Sequence, residues 1–249
     1  YADTTILCNH HGSTVFTIDT NIAATPSIDE LRLKELSEQR LLPQQHVDYL
    51  YTISQTSKPK VIFDVGACVL HWTNEAKNVW PDATFIAFEA MDESEAIFKE
   101  AGLQYSIGLL SDVDGKEISF YQNTTHPGGN SYYKENVAVN PEADLYFNES
   151  HLKTKVSHTL NSIVRSHNFP LPDLIKMDVQ GAELDVLKGA SNILANCKDI
   201  ILELQKVEYN KGAPLRDEVI EYVKGLGFEL IAGPFCDNGP DGDYHFRRL

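Results

Sequence analysis

The stretch DLIKMDVQGAELDVLKGA (Asp173–Ala190) decides the fold of this chain. It begins with a short apolar run that ends at Asp178, continues through a glycine-containing turn, and then shows apolar residues at helical spacing from Leu184 to Ala190. A strand, a turn and a helix in this order leave the Asp178 carboxylate at the carboxyl end of a strand. Because ligands of open α/β sheets bind at that edge, Asp178 is the first candidate functional residue.

Further strand and helix signals alternate from residue 60 onward. The apolar runs that predict strands are VIFDVG (61–66), TFIAFEA (84–90), QYSIGLLSD (104–112), 117–122, 156–160 and DIILELQ (199–205). This alternation predicts a three-layer, Rossmann-like α/β domain with a mostly parallel sheet. The final two candidates, Phe228–Ala232 and Tyr244–Arg247, are joined without a helix, so the last strand is expected to be antiparallel.

An N-terminal extension, residues 1–57, precedes the main domain at 58–249. Two short apolar stretches, Thr5–Leu7 and Thr14–Ile18, predict edge strands or a loosely ordered arm. The rest of the extension is mainly helical.

Two helices are expected in the extension, at about 28–41 and 43–56. Ser27 and Glu30 form the sequence pattern of a capping box at the start of the first helix. We expect both helices to pack on the main domain rather than to form a lid.

The composition limits the classes of partner. The chain has 249 residues and a formal net charge of -15, a surface that repels phosphate backbones and anionic membranes. We therefore expect no nucleic-acid or membrane partner, while the oligomeric state stays open. The four cysteines lack CxxC spacing, and no apolar run approaches the roughly 20 residues of a membrane span. With no signal-peptide pattern, these features favour reduced thiols and a cytoplasmic protein.

A nucleotide site is indicated where the first two sheet strands end. Asp64 and Gly66 close the first strand, and Glu89 closes the second, 23 residues after Gly66. An acidic residue at about this distance can accept hydrogen bonds from ribose hydroxyls. The dinucleotide pattern GxGxxG is absent, which favours a smaller adenosine ligand. Ser111 and Asp112, after the third predicted strand, are candidates to hold an adenine amino group or simply to end that strand.

A possible metal site follows from Asp178 and Glu203. Each stands at the carboxyl end of a buried strand, and neighbouring strands lie about 4.8 Å apart. Two carboxylates in one crevice repel each other unless they share a cation or a proton. Oxygen ligands suit Mg²⁺ or Mn²⁺, which would orient a substrate hydroxyl and lower its pKa. The alternative is one catalytic and one structural carboxylate.

Three further side chains are candidates for proton transfer. Glu183, in the first turn of the helix after Asp178, either complements the helix dipole or acts as a general base. His126 and His71 lie in predicted loops near the crevice and can titrate near neutral pH.

At these residues the chain resembles the FkbM family of class I S-adenosylmethionine-dependent methyltransferases. The stretch 173–190 is close to the most specific motif of that family, in which Glu usually stands at the position of Gln180. Weaker motifs align in order over about 58–249, namely VIFDVGA, TFIAFEA, GLLSD, GGNS, TLNSIV and IILELQ. The resemblance implies a seven-stranded sheet and S-adenosylmethionine as the methyl donor.

The resemblance also implies roles for individual residues. Asp64, Gly66 and the adjoining Ala67 would line the methionine side of the donor, while Glu89 and the adjoining Ala90 would bind its ribose. Ser111 and Asp112 would lie near adenine, Ser131 matches a family serine, and Asp178 would face the reacting centre.

The chain departs from the family in the loop after the first strand. The usual DVGANxG becomes DVGACVL, so that Cys68 and Leu70 replace Asn and Gly, and Asn161 replaces an Asp in TLNSIV. Because known family members mainly O-methylate hydroxyls, the sequence predicts an O-methyltransferase acting on a sugar or glycan. Asp178 would be its base or metal ligand. The alternatives are a catalytically inactive adenosine-binding module and a carbohydrate-binding module on the same fold.

Overall fold

The computed structural model of the protein describes residues 26–248. The predicted stretches Thr5–Leu7 and Thr14–Ile18 lie outside the described residues. Ten strands are present in the described part: β1 Val61–Val65, β2 Thr84–Glu89, β3 Gln104–Ile107, β4 Leu109–Leu110, β5 Glu117–Tyr121, β6 Leu152–His158, β7 Leu174–Met177, β8 Asp199–Gln205, β9 Phe228–Asp237 and β10 Asp241–Arg248.

A seven-stranded sheet organises the domain, in the order β3-β2-β1-β7-β8-β10-β9. The pairs from β3 to β8 are parallel, and β10 is antiparallel to both β8 and β9. The predicted mostly parallel sheet with an antiparallel last strand is therefore confirmed. This order brings the ends of β1, β7 and β8 together at the centre of the sheet.

Helices cover the sheet: α1 Ile28–Ser37, α2 Gln44–Ser54, α3 His71–Val79, α4 Glu95–Glu100, α5 Ala143–Tyr146, α6 Leu160–His167, α7 Glu183–Lys188, α8 Ser191–Leu194 and α9 Arg216–Gly225. The capping box predicted at the start of α1 is present, since Ser27 and Glu30 exchange hydrogen bonds. Within residues 26–248, no helix is long and apolar enough to cross a membrane.

One predicted strand, residues 104–112, is wrong as a single element. The chain leaves the large sheet at Gly108, whose N–H donates to the Glu89 carbonyl. Leu109–Leu110 then joins a separate three-stranded sheet in the order β4-β6-β5. The strand predicted at 156–160 also begins earlier, at Leu152, because its first residues pair with β5.

The extension helices pack on the domain as expected. Leu50 and Ile53 of α2 are buried with Trp72 and Trp80 around α3, and Leu33 of α1 is buried in a separate apolar cluster. The segment between the helices, residues 41–43, lines a space together with Gly66, Asp178 and Glu203 at the carboxyl ends of the central strands. The extension thus contributes both to the core and to a wall of the crevice described below.

Candidate active site

The turn after β7 is held against β1 by a very close backbone approach. The Asp178 N–H donates to the Val65 carbonyl at 2.9 Å. A Cβ on Gly66 would stand 1.8 Å from the Asp178 carbonyl oxygen, and Gly66 has a φ of +77°. Glycine is therefore required there both for space and for the left-handed conformation.

A cleft opens beside this turn, and we call it the cofactor cleft. One wall is apolar and includes Leu109, Leu110, Phe120 and Tyr132. Of the residues predicted to bind the cofactor, Gly66, Glu89 and Ala90 line the cleft. Asp178 and Gln180 also line it, so the carboxyl ends of β1, β2 and β7 meet there as expected.

Glu89 organises the rim of the cofactor cleft. Its carboxylate accepts hydrogen bonds from the main-chain N–H groups of Cys68 at 2.7 Å, Ala90 at 2.7 Å and Met91 at 2.9 Å. Burial raises the pKa of Glu89, and these donors oppose that rise. The side chain therefore ties the loop after β1 to the end of β2 while facing the cleft.

The other predicted cofactor residues lie off the cleft. Asp64 is fully buried under the loop and accepts a hydrogen bond from Thr73 at 2.6 Å. Ala67 lines a neighbouring space rather than the cleft. Ser111 is buried and donates to Asp112 at 3.2 Å, but neither residue lines the cleft, which this segment borders only from Gly108 to Leu110.

The two departures from the family loop fall at left-handed backbone positions. Cys68 has a φ of 48° and Leu70 a φ of 71°. Asn and Gly adopt this region more readily than Cys and Leu, so the replacements carry backbone strain. Leu70 is almost fully buried, and its packing offsets part of that cost.

Lys176 is a buried ammonium that the sequence analysis did not single out. It sits in the apolar run of β7 with its side chain 8% exposed, 3.4 Å from Asp178 Oδ2 and 3.5 Å from Asp64 Oδ1. Burial alone would lower the pKa of Lys176, but the Asp178, Asp64, Glu203 and Asp243 carboxylates raise it above its ordinary value. The sequence feature that could have identified Lys176 is its position as the single charged residue within the apolar strand LIKM (174–177).

Asp178 and Glu203 face one crevice, as predicted. The Gln180 side-chain nitrogen lies between them, 2.8 Å from Asp178 Oδ1 and 2.6 Å from Glu203 Oε2. Burial would raise the pKa of Asp178, but Lys176 and its hydrogen-bond donors hold it below its usual value. Burial and the nearby acidic side chains raise the pKa of Glu203 well above its usual value. At neutral pH, Asp178 is therefore ionised.

This pair does not fit a resident divalent cation as it is arranged. An amide nitrogen that donates to both carboxylates occupies the space between them, and Lys176 already supplies a positive charge at 3.4 Å. Mg²⁺ is commonly bound by one or two carboxylates with water completing its octahedron, so a cation here would have to displace the Gln180 amide and lie beside the Lys176 ammonium.

A second cluster, His46, Cys236 and Asp243, brings three metal-ligating side chains together. However, His46 Nδ1 lies 3.0 Å from Asp243 Oδ2, and Trp72 donates to His46 Nε2 at 3.0 Å. Both ring nitrogens are therefore satisfied: Nδ1–H donates and Nε2 accepts. We interpret this cluster as the contact that anchors α2 to β10 and α3.

Of the proton-transfer candidates, Glu183 is a structural support. Its carboxylate is buried and accepts from the N–H groups of Val179 at 2.9 Å and Gly181 at 3.3 Å, which fixes the turn. Burial raises the pKa of Glu183 to about 7. His71 contacts the Leu36 carbonyl at 2.7 Å, so α3 is fastened to α1 through that ring.

A second depression adjoins the first and is polar and acidic; we call it the acceptor depression. Its lining includes Glu135, Asn140, Gln180, Glu203 and Asp241, and His126 stands on its rim, stacked on Tyr146. Burial and the nearby Asp178 and Asp243 carboxylates raise the pKa of Asp241 to about 6.

The irregular loop 123–150 separates the two spaces. Ser131 is buried, and its hydroxyl donates to the Gln180 carbonyl at 2.8 Å. Tyr132 and Tyr133 both donate to Asp185 on α7, at 3.0 and 2.8 Å. The loop is thus fastened to the turn and helix that follow β7, and Gln180 lines both the cofactor cleft and the acceptor depression.

Several known proteins resemble this chain. A curated relative, Methyltransferase 1 from Beauveria bassiana (strain ARSEF 2860), is 24% identical over 159 residues, which are 57% of this chain and 63% of that protein. The chain thus spans less than two thirds of the length of this relative.

The chain is also similar to solved structures, at low sequence identity. Precorrin-6y C5,15-methyltransferase from Geobacter metallireducens GS-15 has a TM-score of 0.48 and 10% identity, covering 85% of this chain and 92% of that chain. A methyltransferase from Podospora anserina, solved with SAH bound, has a TM-score of 0.45 and 11% identity, covering 90% of this chain and 89% of that chain.

The sheet order itself, with its antiparallel β10, is the class I methyltransferase fold expected from the sequence. Residues 64–230, more than half of the chain, match the family model described as the methyltransferase FkbM domain. The chain therefore belongs to the FkbM methyltransferase domain family.

Proposed function

We propose that this protein is an S-adenosylmethionine-dependent O-methyltransferase whose acceptor is a neutral, polyhydroxylated molecule such as a sugar or glycan. The observation that carries the proposal is the position of Asp178, Gln180 and Glu203. Asp178 lines the cofactor cleft, Glu203 lines the acceptor depression, and Gln180, hydrogen-bonded to both, lines both spaces.

The cofactor cleft suits a sulfonium nucleoside. Its apolar wall offers a surface for a flat base, and the Glu89 carboxylate at the end of β2 lines the cleft, where it would accept hydrogen bonds from ribose hydroxyls. Asp178, at the other end of the cleft, is ionised and favours a positive charge beside it. Bound S-adenosylmethionine would supply a methyl group on a positively charged sulfur.

Asp178 is the group placed to accept the acceptor proton. With S-adenosylmethionine bound as the methyl donor, the Asp178 carboxylate would take the proton that the acceptor hydroxyl loses on methylation. Lys176 keeps that carboxylate ionised at neutral pH. The largest contribution of the site is then alignment, because an in-line displacement depends on the angle between acceptor oxygen, methyl carbon and sulfur.

The acceptor depression indicates the charge of the acceptor. Glu135, Glu203 and Asp241 line it, and its described lining contains neither lysine nor arginine. A phosphorylated or carboxylated acceptor would meet uncompensated negative charge there. Asn140, Asn238 and Tyr209 offer the neutral donors and acceptors that sugar hydroxyls require.

The test is a methyl-transfer assay with labelled S-adenosylmethionine against free sugars, glycans and their phosphorylated counterparts, each with and without EDTA. We expect transfer to neutral acceptors and no dependence on EDTA. Binding of S-adenosylmethionine without transfer to any acceptor would favour the inactive adenosine-binding module. Failure to bind it, together with binding of a glycan, would favour the carbohydrate-binding module. Loss of transfer on chelation, restored by Mn²⁺ or Mg²⁺, would reinstate the metal.

A further inference from the structure

The Gln180 amide is the central contact of the crevice. The turn places Gln180 at a φ of 52°, and its main-chain carbonyl is held by the Ser131 hydroxyl at 2.8 Å. From this fixed backbone, the side-chain nitrogen reaches Asp178 at 2.8 Å and Glu203 at 2.6 Å. An amide nitrogen has two hydrogens, and each is donated to a different carboxylate.

Each carboxylate also has a donor on its far side. Lys176 lies 3.4 Å from the second oxygen of Asp178, and Asn238 donates to the second oxygen of Glu203 at 3.2 Å. Among the described residues that line the cofactor cleft, the acceptor depression and the space beside residues 41–43, Lys176 is the only lysine or arginine. The oxygens of the Asp178 and Glu203 carboxylates are therefore contacted by one ammonium group and two side-chain amides.

We propose that Gln180 is a positioning residue that takes the place of a divalent cation in this active site. Its amide holds Asp178 and Glu203 at a fixed separation and keeps one oxygen of each carboxylate engaged. The consequence for proton transfer rests on the proposed function, whereas the exclusion of the cation does not. Without the amide, two facing carboxylates would attract a cation from solution.

A single substitution reverses this arrangement. Gln180→Glu has nearly the same size, removes both donated hydrogens and places a third carboxylate between the other two. Three carboxylates are the oxygen donors that Mn²⁺ and Mg²⁺ prefer. The variant should therefore bind a cation that the natural protein rejects.

The experiment is a Mn²⁺ titration followed by electron paramagnetic resonance, which needs neither acceptor nor turnover. The matched control is Gln104→Glu, the same change at an exposed position of β3. We expect Q180E to bind one Mn²⁺ at least about tenfold more tightly than the natural protein and Q104E, a difference of about 1.4 kcal/mol. Adding Asp178→Asn to the Q180E variant should abolish this extra Mn²⁺ binding.

Two results would overturn the proposal. One is tight Mn²⁺ binding by the natural protein that is lost in D178N, which would make the carboxylates a metal site with the amide in place. The other is a Q180E protein with unchanged Mn²⁺ affinity. If Q180E does not fold, Gln180→Ala removes the bridge without adding charge. The Q180A variant should show a smaller increase in Mn²⁺ affinity, and an unchanged Mn²⁺ affinity would equally contradict the proposal.

The catalytic half of the proposal has a separate readout. A residue that only stabilises the fold would lower turnover equally at every pH. Measured with EDTA, which keeps the variant free of metal, Q180E should instead shift the rising limb of the pH profile to higher pH, because the added carboxylate raises the pKa of Asp178. Calorimetric titration of the natural protein with S-adenosylmethionine tests the proposed function independently of the Mn²⁺ result.

Discussion

Replacing Lys176 with methionine removes the buried ammonium while keeping most of the apolar stem of the side chain. The Lys176 nitrogen lies 3.4 Å from Asp178 and 3.5 Å from Asp64, and Asp64 is fully buried. At an effective dielectric constant of about 20, each contact amounts to about 5 kcal/mol of Coulomb energy, before the cost of burying the charges. Removing one partner of such a pair typically lowers the free energy of unfolding by about 3–5 kcal/mol.

The loss should depend on pH in a defined direction. In the natural protein the pKa of Asp178 is lowered, so its contribution to stability is present above its unfolded pKa and is lost as the pH falls. In K176M, burial and the neighbouring acids raise that pKa instead. The folded variant then takes up protons at mildly acidic pH. We therefore expect the destabilisation to be largest near pH 8 and to shrink towards pH 5.

Urea denaturation of the natural protein, K176M and Lys188→Met at both pH values measures this effect. Lys188 is exposed at the end of α7, so the control should stay within about 0.5 kcal/mol of the natural protein. A K176M protein as stable as the natural one at pH 8 would refute the reasoning. An equal loss at pH 5 and pH 8 would also do so, because it would assign the effect to packing rather than to charge.

Three further changes test the supports of the site. Gly66→Ala places a Cβ 1.8 Å from the Asp178 carbonyl oxygen and adds about 1–2 kcal/mol of strain from the left-handed backbone conformation. The midpoint of thermal denaturation should therefore fall clearly, and an unchanged midpoint would contradict the close approach. Glu183→Gln removes a carboxyl group whose pKa is raised to about 7. The protonated carboxyl stabilises the natural protein, and this contribution is lost as the pH rises through 7. The free energy of unfolding, measured with urea, should therefore fall less between pH 5 and pH 8 in the variant than in the natural protein. Glu89→Ala should weaken S-adenosylmethionine binding by about 10–100-fold in calorimetry, because hydrogen bonds to charged groups contribute about 1.5–3 kcal/mol. Unchanged affinity would show that Glu89 does not bind the ribose.

The strand ends could be predicted from the sequence because apolar runs that end in an acid are a local signal. Asp178 and Glu203 were expected to share one crevice, and the parallel pairing of β7 with β8 places them there. The position of Glu89 beside Gly66 follows in the same way from the pairing of β1 with β2. These features depend only on which strands are neighbours.

Other features depend on where the chain bends in three dimensions. The break at Gly108 divides residues 104–112 between two sheets, and of this segment only Gly108, Leu109 and Leu110 line the cofactor cleft. The bridge made by Gln180 depends on a left-handed backbone conformation and on Ser131, 49 residues away. The role of Lys176 requires Asp64 from the neighbouring strand β1.

The most direct test of the account is Asp178→Asn, which keeps the shape of the side chain and removes its negative charge. Binding of S-adenosylmethionine, measured by calorimetry, and methyl transfer, measured with an acceptor that the natural protein methylates, should be determined on the same sample. We expect affinity within a few-fold of the natural protein and a rate lower by about 100-fold or more, the usual contribution of a general base. Undiminished transfer by D178N would contradict the account, because no proton acceptor would then be needed at the junction of the two spaces.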